Sequence, residues 1–196
     1  GLFDFAAGVH ESVRAADSAL IVLSGKSGLN VGSEQAYELC AEKGKPCAFF
    51  IGKLDSSHAA YNKVLSALTA RFGAAVCPVV VPFYDGDTVK GYINLIDNKA
   101  YTYSDGKASP DSTPDDERIT HLRDLMLEAV ASQDEALMEK YFDGAELSVD
   151  EITAALKSGI AAGEIIPLFA GAQQAAAGVD LTLDIISEIM PTADTA

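Results

Sequence analysis

The sequence predicts an α/β fold, a parallel sheet covered by helices and interrupted by an antiparallel insertion. Three observations predict it. Pro46–Asp55, PCAFFIGKLD, holds an unbroken apolar run from Cys47 to Ile51 that ends in a polar loop. Such a run reads as a strand buried on both faces, as in a parallel sheet. On either side of it helical and strand patterns alternate with short loops. From Cys77 onward, by contrast, strand-like runs follow one another without an intervening helix, which marks antiparallel pairing.

The elements follow in order. In GVHESVRAAD, residues 8–17, Val9, Val13 and Ala16 recur at helical spacing, predicting a short amphipathic helix. Ser18–Leu23 reads as a buried strand, and Ser33–Lys43 as a helix capped by Ser33 and stopped by Gly44. After the Cys47 strand, Ser56 or Ser57 caps a helix that carries Val64, Leu65, Leu68 and Phe72 and ends at Gly73. CPVVVPFY is a strand closed by Pro82. Two short strands with turns at Asp97-Asn98 and Asp105-Gly106 come next. Ser109–Glu117 is a polar linker with a helix start, and helices follow at Ile119–Val130 and Glu135–Phe142. Ser148 opens another helix, with Glu151 completing a capping box. Ile165–Ala170 resumes the sheet, Gly171–Ala177 is a loop, and Gly178–Met190 is the last helix.

Composition narrows the function. With 48% hydrophobic and 22% charged residues, the chain has the balance of a globular protein. Fourteen basic against 29 acidic residues give a formal charge of −15, which argues against a grip on nucleic-acid phosphates. No apolar run is long enough for a membrane helix. Cys40, Cys47 and Cys77 lack metal-ligand spacing and read as reduced thiols in a cytoplasmic protein, and no metal site is expected.

Candidate binding residues lie where ligands of open α/β sheets sit, beyond the carboxyl ends of the strands. Gly52–Asp55 occupy that end. A carboxylate at Asp55 accepts two hydrogen bonds from a flat N–H edge such as guanine's, while the Lys53 stem lies along the base. The plain alternative for Lys-x-Asp is a solvated turn and helix cap. Ser24-Gly25-Lys26-Ser27-Gly28 resembles the tail of a phosphate-binding loop, but position 20 is Leu where that loop requires glycine. An ordinary strand-to-helix turn is the alternative there.

Taken together these segments resemble the G domain of elongation factor G, a translational GTPase family. Gly1 is similar to the glycine closing that family's Asp-x-x-Gly motif, and Asp4-Phe5, Arg14 and Asp17 fit the switch helix after it. AYELCAEKGKPCAFFIGKLD resembles the stretch leading into Asn-Lys-x-Asp. RFGAAVCPVVVPF and KGYINLIDNKAYTY look like the start of the family's insertion. LSVDEITAALKSGIAAGEIIPLFAGA resembles the segment that ends at its guanine-contacting Ser-Ala loop. The likeness runs through essentially the whole chain in the same order.

The resemblance implies a three-layer P-loop NTPase-like G domain, partial and lacking the phosphate-loop strand, with an α+β insertion subdomain. The core comprises residues 1–82 and 164–196, and the insertion 83–163. By position, Lys53 lies over guanine, Asp55 binds its N1 and N2 hydrogens, and Gly1 offers its N–H to the γ-phosphate. Gly171, Ala172 and Gln173 stand at the Ser-Ala loop, where the backbone N–H of Gln173 serves O6. Three departures weaken the site. Ala172 and Gln173 replace the Ser-Ala pair, so its supporting hydroxyl is gone. Gly52 replaces the Asn that bridges loops or reaches the base, and Leu2 replaces the water-orienting His.

The functional expectation is therefore a fragment of an elongation factor G-like GTPase. Its parent binds GTP or GDP with Mg²⁺, and the fragment itself binds no nucleotide tightly and is inactive. The alternative is a degenerate paralogue acting as a ribosome-binding module. The implied partners are the ribosome, through large-subunit stalk proteins and the insertion with its helix Asp115–Val130, and a second copy through an unpaired sheet edge at Ser18–Leu23. That helix reads equally as a solvated face.

Overall fold

The structure, a computed structural model, describes residues 4–56 and 58–192. Gly1, Leu2 and Ser57, to which the sequence assigned roles, lie outside the described residues. In chain order the elements are α1 (Ala6–Ala15), β1 (Ala19–Ser24), α2 (Val31–Glu42), β2 (Cys47–Gly52), α3 (Tyr61–Phe72) and β3 (Val76–Pro78). Then come β4 (Val80–Asp85), β5 (Thr88–Asn94), β6 (Lys99–Ser104) and β7 (Lys107–Asp111). The chain returns through α4 (Glu117–Ala131), α5 (Glu135–Phe142), α6 (Val149–Ala161), β8 (Ile166–Ala170) and α7 (Val179–Ile189).

Two four-stranded sheets result. The first is parallel, in the order β1-β2-β8-β3, and the second is antiparallel, β4-β5-β6-β7. Every residue of β2 and β8 is buried, as the continuous apolar runs require of strands covered on both faces. On one face Phe49 stacks on Phe72 of α3 at 5.3 Å between ring centroids, and Phe72 lies 4.5 Å from Tyr37 of α2. These rings bind both helices to the same side of the central strand. Full burial of a side chain such as Phe49 contributes about 1.5–3 kcal/mol, so packing of this kind holds the strand ends in place.

The sheets meet at Val79, which is fully buried. Its N–H donates to the Leu168 carbonyl of β8 at 2.9 Å, and its own carbonyl accepts the Leu95 N–H at 2.9 Å. The Arg123 guanidinium of α4 then donates to the Leu95 carbonyl. A single peptide segment thus belongs to both sheets, with an arginine closing the chain of bonds.

Several local expectations are corrected. Asn30, not Ser33, caps α2, and Ser33 completes the capping box from the third helical position. The helix had room to begin earlier because Asn30 is an equally good cap. Ser56 caps nothing, since α3 begins after Ala60, which has no side-chain cap. Residues between are consumed by a turn containing His58 at φ 65° and by the Ala60 N–H, which donates to the Gly25 carbonyl at 3.0 Å. Pro82 does not close a strand but lies inside β4, opposite Tyr92. Ser109–Asp111 belong to strand β7 rather than to a linker; β7 is a sheet edge, where Pro110 is tolerated because no outer neighbour needs its missing N–H.

The strand expected to be buried at Ser18–Leu23 forms as β1 but lies at the sheet edge, so Leu20 and Val22 are exposed. Several further readings agree with the structure. Ser148 and Glu151 form the expected capping box, and Lys140 joins it at 2.8 Å. Those bonds, Lys140's first, hold the exposed Glu151 carboxyl down at about 2. All three cysteines are buried free thiols, and burial pushes Cys77 up to about 12. Among the described residues no helix is long and apolar enough to cross a membrane.

Replacing Arg123 by Ala leaves the Leu95 carbonyl without its charged donor at the junction of the sheets. The expected loss is about 1–3 kcal/mol of unfolding free energy, read by chemical denaturation.

Candidate functional site

Three loops converge at the carboxyl ends of β1, β2 and β8. They are joined by backbone bonds. Gly25 N–H donates to the Gly52 carbonyl at 2.8 Å, Gly171 N–H to the Ile51 carbonyl at 3.0 Å, and Leu54 N–H to the Gly171 carbonyl at 3.4 Å. Side chains are excluded at the contacts. A Cβ on Gly25 would lie 2.7 Å from the Leu54 side chain, and one on Gly171 would lie 2.7 Å from the Phe50 ring and 3.0 Å from the Ala177 carbonyl. The structure therefore brings Gly52, Lys53, Asp55, Gly171, Ala172 and Gln173 to one end of one sheet, 120 residues apart in sequence at their closest link, Lys53 to Gln173.

The residues divide by exposure. Gly52, Gly171 and Ala172 are buried and shape the floor, whereas Lys53, Asp55 and Gln173 are exposed. Lys53 takes a left-handed backbone, φ 59°, which an L-residue adopts at a cost and which concentrates at functional sites. Neither the Lys53 ammonium nor the Asp55 carboxylate is engaged in an ion pair or hydrogen bond among the described residues. The β8 loop is closed on itself by Ala172 and Ala177, which exchange backbone bonds of 2.9 and 3.0 Å. That closure leaves the Gln173 N–H with no acceptor among the described residues. An unpaired carboxylate, a long cationic stem and a free backbone donor beyond the same strand ends are the groups that the donor and acceptor edge of a planar base requires, and of the three residues Asp55 alone also lines a neighbouring cleft.

Sequence reasoning missed two features. The first is the side chain of Gln173. Its Oε1 accepts the Lys53 N–H at 2.8 Å, while only the backbone of Gln173 was assigned a role. The signal was available as a pair, a Gly at 52 together with a long amide at 173. The second is the contribution of the antiparallel sheet. Asp55 and Ala172 line an open cleft of about 860 Å³ whose far wall is Tyr84, Tyr92 and Tyr103. Tyr103 donates to Asp180 at 2.8 Å, anchoring β6 to the start of α7, and its hydroxyl is raised by burial and then by that carboxylate. The buried Tyr92 hydroxyl, without a partner among the described residues, is raised by burial first and then by the Asp55 carboxylate and Tyr84. No sequence motif announces these tyrosines.

With the geometry in place, comparison with known proteins gives a consistent result. Residues 1–192 match the family model described as the elongation factor Tu GTP binding domain. An elongation factor G-like protein of Thermotoga maritima is 31% identical over 189 residues, covering 96% of this chain and 27% of that protein. Elongation factor G of Dehalococcoides mccartyi is 30% identical over 197 residues, covering 98% of this chain and 28% of its own length. A crystal structure of a Thermus thermophilus protein superposes with a TM-score of 0.87 at 30% identity, over 96% of this chain and 29% of the other. The chain thus spans little more than a quarter of the length of these relatives.

Proposed function

The chain belongs to the elongation factor Tu GTP-binding domain family, and on that premise we propose that its Lys53–Asp55 loop holds the guanine of GTP or GDP in a ribosome-associated translational GTPase. The observation that carries this reading is the meeting of Lys53, Asp55 and Gln173 at the carboxyl ends of β2 and β8, each with a group left over for a ligand. The Asp55 carboxylate accepts from N1 and N2 of guanine, the Lys53 stem lies along the ring, and the Gln173 N–H donates to O6. Adenine lacks the donor pair that Asp55 requires. The nucleotide's phosphates and Mg²⁺ supply the reacting groups in this family. Gly1 is assigned to the γ-phosphate by its place in the sequence.

The chain's own residues include the base edge but no complete phosphate loop, since Leu20 stands where the Ser24–Gly28 turn would need its first glycine. Its catalytic power is accordingly low: phosphoryl transfer depends on positioning and charge neutralisation at the phosphates. Leu2 cannot orient water. Loss of a group that orients the nucleophile costs about 100- to 10,000-fold. Leu2 and Gly52 together favour one further reading, a paralogue that uses the same fold to bind ribosomes with nucleotide binding weakened or lost. In both readings the insertion, about residues 83–163, faces the large-subunit stalk proteins with α4, and the protein works in the cytoplasm. The edge strand β1 supplies a self-association surface, since Leu20 is 43% and Val22 58% exposed beside unpaired backbone groups.

Four measurements test this reading. Asp55→Ala in the full-length protein lowers the preference for GDP over ADP by about 10- to 100-fold in calorimetric titration, in line with about 1–3 kcal/mol for a bidentate base contact. The 196 residues alone show no GTP turnover once contaminating hydrolases are excluded. Ribosome-stimulated turnover by the full-length protein identifies the enzyme, and ribosome binding without turnover identifies the paralogue. Sedimentation at high concentration shows oligomers of the 196-residue chain, and Val22→Lys diminishes them.

A further inference from the structure

The space left by Gly52 is filled from the other loop. A Cβ on Gly52 would stand 2.2 Å from Nε2 of Gln173 and 2.7 Å from its Cδ and Oε1. No side chain fits at 52 while Gln173 stays where it is. The amide is also oriented by chemistry. Its partner, the Lys53 backbone N–H at 2.8 Å, is a donor, so the oxygen must face it and the nitrogen must face away from it. Nε2 has two hydrogens to give and no acceptor among the described residues, on an exposed side chain.

We propose that Gln173 is both the loop bridge and a base-contacting residue of this site, taking over from β8 the work that Gly52 cannot do from β2. Its oxygen holds the Lys53 peptide in the left-handed conformation that sets Lys53 and Asp55 apart from the strand. Its Nε2 donates to the purine rim. With Asp55 on N1 and N2 and the Gln173 backbone on O6, the next acceptor along that rim is N7. The inference rests on the nucleotide reading above and adds to it a division of labour. Guanine and adenine share N7. The Gln173 side chain therefore adds affinity for purines of both kinds, and the choice between them falls to Asp55 and to the Gln173 backbone N–H, which meets an acceptor in guanine and an amino donor in adenine.

Gly52 and Gln173 form a reciprocal pair: a side chain at one position requires a small residue at the other. Gly52→Asn by itself forces Gln173 out and breaks the Lys53 bond. Gly52→Asn combined with Gln173→Ala restores room, and the new amide at 52 sits on the vacated side.

The test uses the full-length protein and four forms: unsubstituted, Gln173→Ala, Gly52→Asn and the double variant. Calorimetric titration with GDP and with ADP is paired with amide hydrogen exchange at Lys53 in the absence of nucleotide. Gln173→Ala is expected to weaken GDP and ADP by the same factor, about 2- to 10-fold for lost neutral hydrogen bonds, and to speed exchange at Lys53. Gly52→Asn is expected to lose more, and the double variant to bind better than Gly52→Asn. Loss confined to GDP, or no loss at all with Gln173→Ala, overturns the N7 contact. Unchanged Lys53 exchange overturns the bridge. A double variant no better than Gly52→Asn overturns the reciprocity. If the unsubstituted protein binds neither GDP nor ADP, the nucleotide reading fails and the base contact with it. In that case exchange at Lys53 still decides the bridge by itself.

Discussion

The site depends on one constraint: three strand ends must approach closely enough for backbone to bond with backbone. The Gly25–Gly52 bond of 2.8 Å and the Gly171–Ile51 bond of 3.0 Å leave no room for a β-carbon at Gly25 or Gly171. Glycine is required here for proximity rather than for dihedral freedom, since neither Gly25, Gly52 nor Gly171 has a positive φ. Once the strand ends are clamped, the exposed residues beyond them inherit fixed positions. Lys53 is held in a strained backbone because its neighbours on both sides are already committed.

The antiparallel sheet adds a second wall. Tyr92 packs against Gly178, whose added Cβ would lie 3.0 Å from the ring, and the Asp105–Gly106 turn comes within 3.3 Å of Ala176 when Gly106 is given a Cβ. The β8 loop that carries Gln173 is therefore supported from beneath by the parallel sheet and from the side by the hairpins. The Tyr103–Asp180 bond ties the same hairpins to α7. Candidate base contacts lie on a loop, but a loop braced on two flanks.

Much of this was legible in the sequence because it rests on pattern. The Cys47–Ile51 run identified a strand buried on both faces, and the spacing of Ser148 and Glu151 identified a helix start to the residue. Position relative to a strand end then placed Lys53 and Asp55, and the resemblance to the elongation factor G family added Gln173 to them. Harder to read were features set by tertiary contact. The edge placement of β7 depends on what lies beside it, so Pro110 reads as a linker in one dimension and as an edge residue in three. The break at Val79 falls inside the run CPVVVPF, which carries no polar residue or glycine to punctuate it. The side chain of Gln173 reaches across 120 positions to Lys53, a distance over which no local rule applies.

Val79 has a consequence for how the molecule comes apart. Its N–H and C=O, both wholly shielded from water, are spoken for by opposite sheets. Peeling the hairpins from the core breaks one of these two bonds, at a net cost of about 0.5–1.5 kcal/mol once water replaces it, and uncovers the apolar surface packed around it. The two sheets are thus coupled through one buried residue, and a pull applied to the hairpins reaches β8 through the Val79 N–H.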